Sequence, residues 1–267
     1  MFNSEPARVG VETEHLRTAV KRQEMFLRYQ PKLDLHAGCI SGVEALIRWR
    51  HPLLGVLEPE RFIPLAEQTG VIAELGAWTI NEACQQLKHW KAQGRFSGSV
   101  AVNVSVLELG HAHFVDIVRD AMGRHGVAPG ELVLEITESC AMADPEHTLP
   151  MFRTLDEIGV RLSLDDFGMG YSSLARLKGL PISEVKVDRG FITEIERCPQ
   201  DAAIVTAIIT MAQALGASVV AEGVETIGQL TTLARLGCRT VQGYFVGRPM
   251  APDDLIHAVA ELGNGHG

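Results

Sequence analysis

A repeated strand-then-helix pattern constrains the fold of this chain more than any other feature. Short apolar segments with the alternation of a β-strand are followed by stretches with helical spacing. The helical stretches lie near 60–69, 74–93, 113–125, 146–158, 200–215, 226–236 and 252–262. The strands between them end at or near polar residues, namely Asn103, Glu135, Asp165, Asp188, Glu222 and Gln242.

The first two predicted strands break this pattern. Residues 26–35 and 40–49 both alternate as strands, and only the four residues 36–39 separate them. A parallel crossover needs about a dozen residues or more, so these two strands must form an antiparallel hairpin.

Eight strands, with a helix after all but the first, predict an α/β fold, a (β/α)8 TIM-type barrel with an antiparallel first strand. A chain of 267 residues suits that fold. The alternative is a doubly wound sheet, but no Gly-x-Gly-x-x-Gly follows the early strands. In a barrel the strand ends converge on one bowl, where active sites lie.

Composition excludes several classes of protein. A net charge of -9 argues against a general nucleic-acid or anionic-membrane surface. Five widely spaced cysteines without a Cys-x-x-Cys pair indicate reduced thiols, and no signal peptide or run of about 18 apolar residues is present. We therefore expect a soluble protein in a cytoplasmic setting.

The stretch from Val160 to Ser173 contains two adjacent carboxylates, Asp165 and Asp166, at the end of a strand and before two glycines. Such a pair is common as a helix cap or a solvated turn. The Asp-Phe-Gly sequence also occurs in protein kinases, but the kinase catalytic loop is missing here. Acids recurring at other strand ends favour a metal site instead.

On the predicted bowl, carboxylates outnumber cations. The acids are Glu44, Glu135, Asp165, Asp166, Asp188 and Glu222, beside Asn103 and the cations Lys186 and Arg48. Unpaired anions this close together indicate one or two bound divalent ions. Because all these donors are oxygens, Mg²⁺ or Mn²⁺ is favoured over Zn²⁺, and His111 and His113 are expected at the surface.

Two chemistries fit such a bowl. Two metal ions about 3.5–4 Å apart can clamp a phosphate and activate a water for phosphodiester hydrolysis. Glycoside hydrolysis needs two acids and no metal, and it fits Asn103, Lys186 and the excess of acids poorly.

A series of motifs in order resembles the EAL-domain cyclic di-GMP phosphodiesterase family. They include Glu-Ala-Leu at 44–46, Y-Q-P-K-L-D-L, F-I-P-L-A-E-Q-T-G, A-V-N-V-S, L-E-I-T-E-S, L-D-D-F-G-x-G-Y-S-S-L, V-K-V-D-R, V-V-A-E-G-V-E-T and V-Q-G-Y. The resemblance runs from about residue 16 to 262, so 1–15 is expected to be a linker or tail and 263–267 a C-terminal tail.

The resemblance implies Mg²⁺- or Mn²⁺-dependent hydrolysis of cyclic di-GMP to linear pGpG. It assigns metal ligation to Glu44, Asn103, Glu135 and Asp165, and positions at or near a second metal to Asp166 and Asp188. It assigns water contact to Lys186, a general base or metal-proximal acid to Glu222, and a water-orienting amide to Gln242. Substrate contacts fall on Gln30, Leu46 and Arg48.

Glu138 and Glu225 lie at predicted helix starts, where a glutamate is often only a cap partner. In the family, the first ties down the loop after Asp166 and the second lies beside the site. Met169 departs from the Thr or Ala usual in the family, which leaves the metal positions intact and concerns only loop behaviour.

The sequence thus predicts a cyclic di-GMP phosphodiesterase from a bacterial signalling protein. The alternative from another class is an inert EAL module that binds the nucleotide and signals by contact. The resemblance also implies a homodimer formed through helices beside the loop after Asp166.

Overall fold

The computed structural model describes residues 13–142, 145–168, 177 and 179–264. Met169 and most of the predicted glycine loop lie outside the described residues, as do nearly all of the N-terminal tail and residues 265–267. Within the described part of the chain, no helix is both long enough and apolar enough to cross a membrane.

The strands form one sheet that closes on itself. Its order is β1-β9-β8-β7-β6-β5-β4-β2-β3, and β1 also pairs with β2, which closes an eight-stranded barrel and leaves β3 outside it. The strands are β1 (Met25–Asp34), β2 (Cys39–His51), β3 (Gly55–Leu57), β4 (Ser99–Asn103), β5 (Leu132–Thr137), β6 (Arg161–Phe167), β7 (Ile182–Val187), β8 (Ser218–Ala221) and β9 (Thr240–Gln242). The predicted barrel is confirmed.

Helices cover the outside of the barrel. They are α1 (Thr13–Ala19), α2 (Ile63–Thr69), α3 (Ile72–Ala92), α4 (Val106–Leu109), α5 (Phe114–His125), α6 (Glu138–Met142), α7 (Pro145–Glu157), α8 (Arg189–Ile192), α9 (Pro199–Ala214), α10 (Ile227–Arg235) and α11 (Pro252–Asn264), with a 3₁₀ turn at Pro59–Arg61. Each of the seven predicted helical stretches corresponds to one of these, and β3 and the short helices were not predicted.

The β1–β2 hairpin is antiparallel, as its short connection required. Asp34 holds the turn, because its Oδ1 accepts hydrogen bonds from the amides of His36 and Ala37 at 2.9 Å each. Gly38 completes the turn with a φ of 64°, in the left-handed region that favours glycine.

Strand alternation separates an apolar outer face from a polar inner face. On β5, Leu132 and Leu134 are fully buried in the main apolar cluster beneath the helices, whereas Glu135 points inward to the lysines described below. Because successive strand residues face opposite sides, each strand supplies both the core and the site.

The outer end of the hairpin has its own small core. Trp49 is fully buried there with Leu16 of α1, Phe62 and Leu75, and its Nε1 donates to Glu24 at 2.9 Å. The helix α1 ends at Ala19 because the chain turns after it, with Gln23 at a φ of 57°, to enter β1.

Candidate active site

The strand registers bring the predicted acids to one end of the barrel. Glu44 is opposite Gln30 across the hairpin, and Asn103 is the register partner of Glu135 on the next strand. Asp165 follows one strand further, beside Thr137. The closed barrel thus collects residues that are far apart in sequence.

Lys186, on β7, lies at the centre of these acids and is 1% exposed. Its Nζ is 2.7 Å from Glu222 Oε1, 2.8 Å from Glu135 Oε2, 3.4 Å from Asp165 Oδ1 and 3.6 Å from Glu44 Oε2. Four carboxylates, from β2, β5, β6 and the residue after β8, therefore converge on one ammonium group.

A second buried ammonium group, that of Lys32, lies on the other side of Glu135. Its Nζ is 2.7 Å from Glu135 Oε1 and 3.0 Å from Glu184 Oε1. Ser163 Oγ donates to the same oxygen of Glu184 at 2.9 Å. The two oxygens of Glu135 are thus each paired with a different lysine.

These pairings set the charge of each group. Burial opposes ionisation of Glu135, but Lys186 and Lys32 outweigh it and lower the pKa of Glu135 to about 2. Burial also opposes the charge of Lys186, yet the surrounding carboxylates raise its pKa well above the usual value. Glu222 differs, because burial and the charges of Asp165 and Glu44 outweigh Lys186 and raise its pKa to about 8.

Amide side chains fix Glu44. Its Oε1 accepts from Asn103 Nδ2 at 2.7 Å and its Oε2 accepts from Gln242 Nε2 at 2.6 Å. Gln242 also donates to Gln30 Oε1 at 3.1 Å, and Gln242 Oε1 is buried with no hydrogen-bond partner among the residues described. An acceptor is therefore left inside the site.

The rim of the site is held by backbone geometry. Asp166 has a φ of 55°, unusual for a residue other than glycine, and its amide donates to Asp165 Oδ1 at 2.9 Å. Partial burial, followed by the charges of Asp165 and Asp188, raises the pKa of Asp166. Asp188 caps α8 by accepting from the amide of Gly190 at 2.8 Å.

Glu138 is the first residue of α6, beyond the end of β5. It is 5% exposed, and its Oε2 accepts from the amide of Gly168 at 3.3 Å. This bond ties Glu138 to the first residues of the loop that follows Asp166, which is the contact that the family resemblance implied.

A cavity of about 660 Å³ opens beside the acids. Its polar wall includes Asn103, Asp165 and Asp166, and Leu46 and Ile63 contribute to its larger apolar wall. Such a mixed cavity beside charged groups suits a ligand with both an apolar ring and charged parts.

Two predicted residues lie apart from this cluster. Arg48 Nη2 pairs with Glu58 at 2.7 Å, so the prediction that Arg48 is a cation of the acid cluster is wrong for this conformation, and Lys32 takes that place. Glu225 is exposed, and only its backbone amide is hydrogen-bonded within the described part, to Gln229 at 2.7 Å.

Sequence reasoning missed Lys32, Glu184 and Ser163. The signal was present in the alternation, because Lys32 shares a strand face with Gln30, and Glu184 shares one with Lys186. The pairing across the barrel was not visible, since 103 residues separate Lys32 from Glu135.

The residues fit a divalent cation by their chemistry. Five carboxylates, those of Glu44, Glu135, Asp165, Glu184 and Glu222, share two ammonium groups, those of Lys186 and Lys32, as their cationic partners among the described residues, and their oxygens are hard donors. No three His, Cys, Asp or Glu side chains of the described residues already form a metal-binding group, which agrees with Lys186 filling the space between them.

Comparison with known proteins supports this description. The family model named EAL domain matches residues 13–249. The chain is 48% identical over 245 residues to the bifunctional diguanylate cyclase/cyclic di-GMP phosphodiesterase MucR of Pseudomonas aeruginosa, covering 92% of this chain and 36% of that protein. It is 47% identical to the cyclic di-GMP phosphodiesterase NbdA of the same organism, covering 89% of this chain and 30% of that protein.

A solved structure of the PaMucR phosphodiesterase in complex with c-di-GMP has the same fold. It matches with a TM-score of 0.86 and 48% identity, covering 91% of this chain and 98% of that one. The chain spans about a third of the length of the curated relatives it matches. On its matched sequence, barrel and strand-end acids, the chain belongs to the EAL domain family.

Proposed function

We propose that this domain hydrolyses cyclic di-GMP to linear pGpG with the help of one or two Mg²⁺ or Mn²⁺ ions. The observation that carries the proposal is the convergence of Glu44, Glu135, Asp165 and Glu222 on Lys186, next to a cavity large enough for a ligand. The phosphodiesterase names of MucR and NbdA, and the c-di-GMP bound to the similar solved structure, support the same substrate.

The cavity is where the nucleotide binds. Leu46 and Ile63 provide apolar surface for a guanine ring. Gln30, whose Oε1 accepts a hydrogen bond from Gln242, contacts the substrate at the edge of the site. The buried Arg48, now paired with the exposed Glu58, binds a phosphate of the substrate once Glu58 moves away.

A bound divalent ion would neutralise the phosphate and lower the pKa of an attacking water. We assign its ligands to Glu44, Asn103, Glu135 and Asp165, with Asp166 and Asp188 for a second ion. Two lysines keep Glu135 ionised, and Gln242 and Asn103 hold the Glu44 carboxylate in one orientation. The ligands are therefore positioned before substrate arrives.

The remaining groups act on the water. Glu222 takes the proton from the water, whose oxygen bonds to phosphorus while the bond from phosphorus to the 3′-oxygen breaks. The departing 3′-oxygen takes up a proton from solvent water and becomes the 3′-hydroxyl of pGpG. Lys186, 2.7 Å from Glu222, holds the base and the water in place, and the free Oε1 of Gln242 accepts the other hydrogen of the water. A carboxyl with a raised pKa is suited to such proton transfer near neutral pH.

The test is incubation of the purified domain with cyclic di-GMP and each of Mg²⁺, Mn²⁺ and Ca²⁺, with chromatographic analysis of the product. We expect pGpG with Mg²⁺ or Mn²⁺, and no turnover with Ca²⁺, which is larger and accepts looser geometry. Undiminished activity in excess Ca²⁺ would contradict the metal assignment. Nucleotide binding without cleavage in any of the three metals would identify a binding module instead.

A further inference from the structure

We propose that Lys32 is a positioning residue of this site, which orients the Glu135 carboxylate for metal binding from beneath the barrel mouth. The proposal rests on the proposed metal site, and it assigns a role to Lys32, which lies within the Y-Q-P-K-L-D-L motif but has no function assigned to it by the resemblance.

Lysine and glutamate side chains alternate across the barrel interior, in the order Glu184, Lys32, Glu135 and Lys186. Lys32 reaches from β1 to Glu135 Oε1 at 2.7 Å and to Glu184 Oε1 at 3.0 Å. Lys186 approaches the other oxygen of Glu135, Oε2, at 2.8 Å. With a cation at each oxygen, the plane of the Glu135 carboxylate has one allowed orientation.

Burying these charged side chains costs desolvation free energy, so their presence indicates a role other than stability. Lys32 is 4% exposed and Glu135 is 1% exposed. Placing charges in a protein interior carries a desolvation penalty that apolar residues of the same size avoid, so a buried ion pair is weak evidence for a purely stabilising role. TIM-barrel interiors are otherwise filled by branched apolar side chains.

Glu184 makes it possible to separate two effects of Lys32, its charge in the barrel interior and its contact with Glu135. Glu184 pairs with Lys32 and accepts a hydrogen bond from Ser163, and neither residue contacts Lys186 in the described structure. Glu184 balances the charge of Lys32, with Ser163 donating to it at 2.9 Å. Changing Glu184 therefore alters the charge balance of the interior while leaving Lys32 on Glu135.

The experiment compares Lys32→Met, Glu184→Gln and the double variant, in which both charges are removed together. Methionine has an unbranched chain like that of lysine and fills the space without an ammonium group. Glutamine keeps an acceptor for Ser163. Each protein is stripped with EDTA and dialysed, and Mn²⁺ affinity is measured without nucleotide from the electron paramagnetic resonance signal of free Mn²⁺. Thermal unfolding is recorded in parallel.

We expect Lys32→Met to bind Mn²⁺ about 10- to 100-fold more weakly, as for other residues that orient a ligand. Glu184→Gln, the matched control, should stay within about threefold of the wild type in Mn²⁺ affinity, because Lys32 still holds Glu135. The double variant should unfold at a higher temperature than Lys32→Met, since no buried carboxylate is left without its cation. Its Mn²⁺ affinity should stay as low as that of Lys32→Met.

Two results would overturn the proposal: Mn²⁺ binding by Lys32→Met that equals or exceeds the wild type, or a double variant that recovers both stability and wild-type affinity. The second would show that Lys32 only stabilises the fold. If Lys32→Met fails to fold, the double variant alone decides between these outcomes. Failure of the wild type itself to bind Mn²⁺ would instead contradict the proposed metal-dependent function.

Discussion

The interior and the rim of the site position their carboxylates in different ways. In the interior, Glu135 and Glu44 project from strands in the middle of the sheet and are fixed by buried lysines and amides. At the rim, Asp166 is held in a left-handed backbone conformation, and the amide of Gly168, the last described residue before the loop, donates to Glu138 at 3.3 Å. Charge pairing fixes the interior, whereas backbone conformation and hydrogen bonds to backbone amides hold the described part of the rim.

The interior and the rim therefore tolerate different substitutions. Removing a cation from the interior leaves several buried anions unpaired, which affects folding as well as chemistry. Removing the tie at the rim loosens one loop and leaves the barrel intact. The expected effects below therefore fall from the interior to the rim.

The largest effect is expected for Lys186→Met. Four carboxylates lose their common partner, so we expect the free energy of unfolding to fall by about 3–5 kcal/mol and pGpG formation to drop below detection. Lys91→Met is the matched control, because Lys91 is a partly exposed partner of Glu131 at 2.6 Å and should cost only about 1 kcal/mol or less. Equal losses in the two variants, measured by urea denaturation, would remove the distinction between interior and surface pairs.

Glu222→Ala should affect chemistry more than folding. Loss of a general base typically lowers kcat by about a hundredfold or more, and we expect nucleotide affinity to be largely retained. Steady-state kinetics and calorimetric binding of cyclic di-GMP in Ca²⁺ would measure the two quantities separately. Glu194→Ala, at an exposed glutamate outside the acid cluster, serves as the control. A normal kcat in Glu222→Ala would exclude Glu222 from proton transfer.

Glu138→Ala tests the rim. Without the bond to Gly168, we expect Asp165 and Asp166 to lose their fixed geometry, with a 10- to 100-fold loss in metal affinity or activity, as is typical for residues that support ligands. Raised Mg²⁺ should restore part of the activity, and thermal stability should match that of the exposed control Glu146→Ala. Wild-type metal affinity and kcat in this variant would show that Glu138 acts only as a helix cap.

Much of this architecture was predictable, because alternation and connection length are local properties. The four-residue link at 36–39 required the antiparallel hairpin, and the polar strand ends led to Glu135 and Asp165. Contacts across the barrel were not predictable from one sequence. Lys32 reaches Glu135 only because the sheet closes into a barrel. Arg48 reaches Glu58 only because the chain folds back through β3, which ends one residue before Glu58.

Glu108 shows what happens to a buried carboxylate without a cation, and its substitution carries the smallest predicted effect on activity. It is 4% exposed, its Oε2 accepts from the amide of Ser105 at 2.8 Å, and its Oε1 has no hydrogen-bond partner within the described structure. Burial raises the pKa of Glu108 to about 7. Glu135 is also buried, but two lysines pair with its carboxylate and keep it ionised.

Because the folded state holds the Glu108 proton more tightly than the unfolded state, its contribution to stability is full below about pH 4.5 and is lost as the pH rises through about 7. Glu108→Gln should remove this pH dependence, which amounts to about 2–4 kcal/mol, and should leave kcat near the wild-type value. Urea denaturation between pH 5 and pH 8 measures the effect, with the exposed Glu74→Gln as control. If Glu108→Gln left the dependence of the unfolding free energy on pH unchanged, Glu108 would be ionised in the folded protein.

Hydrolysis of cyclic di-GMP by these acids can be measured by running the reaction in water labelled with oxygen-18. With Mg²⁺, we expect mass spectrometry to find pGpG carrying one oxygen-18 atom in its 5′-phosphate, and EDTA to abolish the product without unfolding the protein. Intact cyclic di-GMP after prolonged incubation with Mg²⁺, or labelled product formed at the same rate in EDTA, would contradict this expectation.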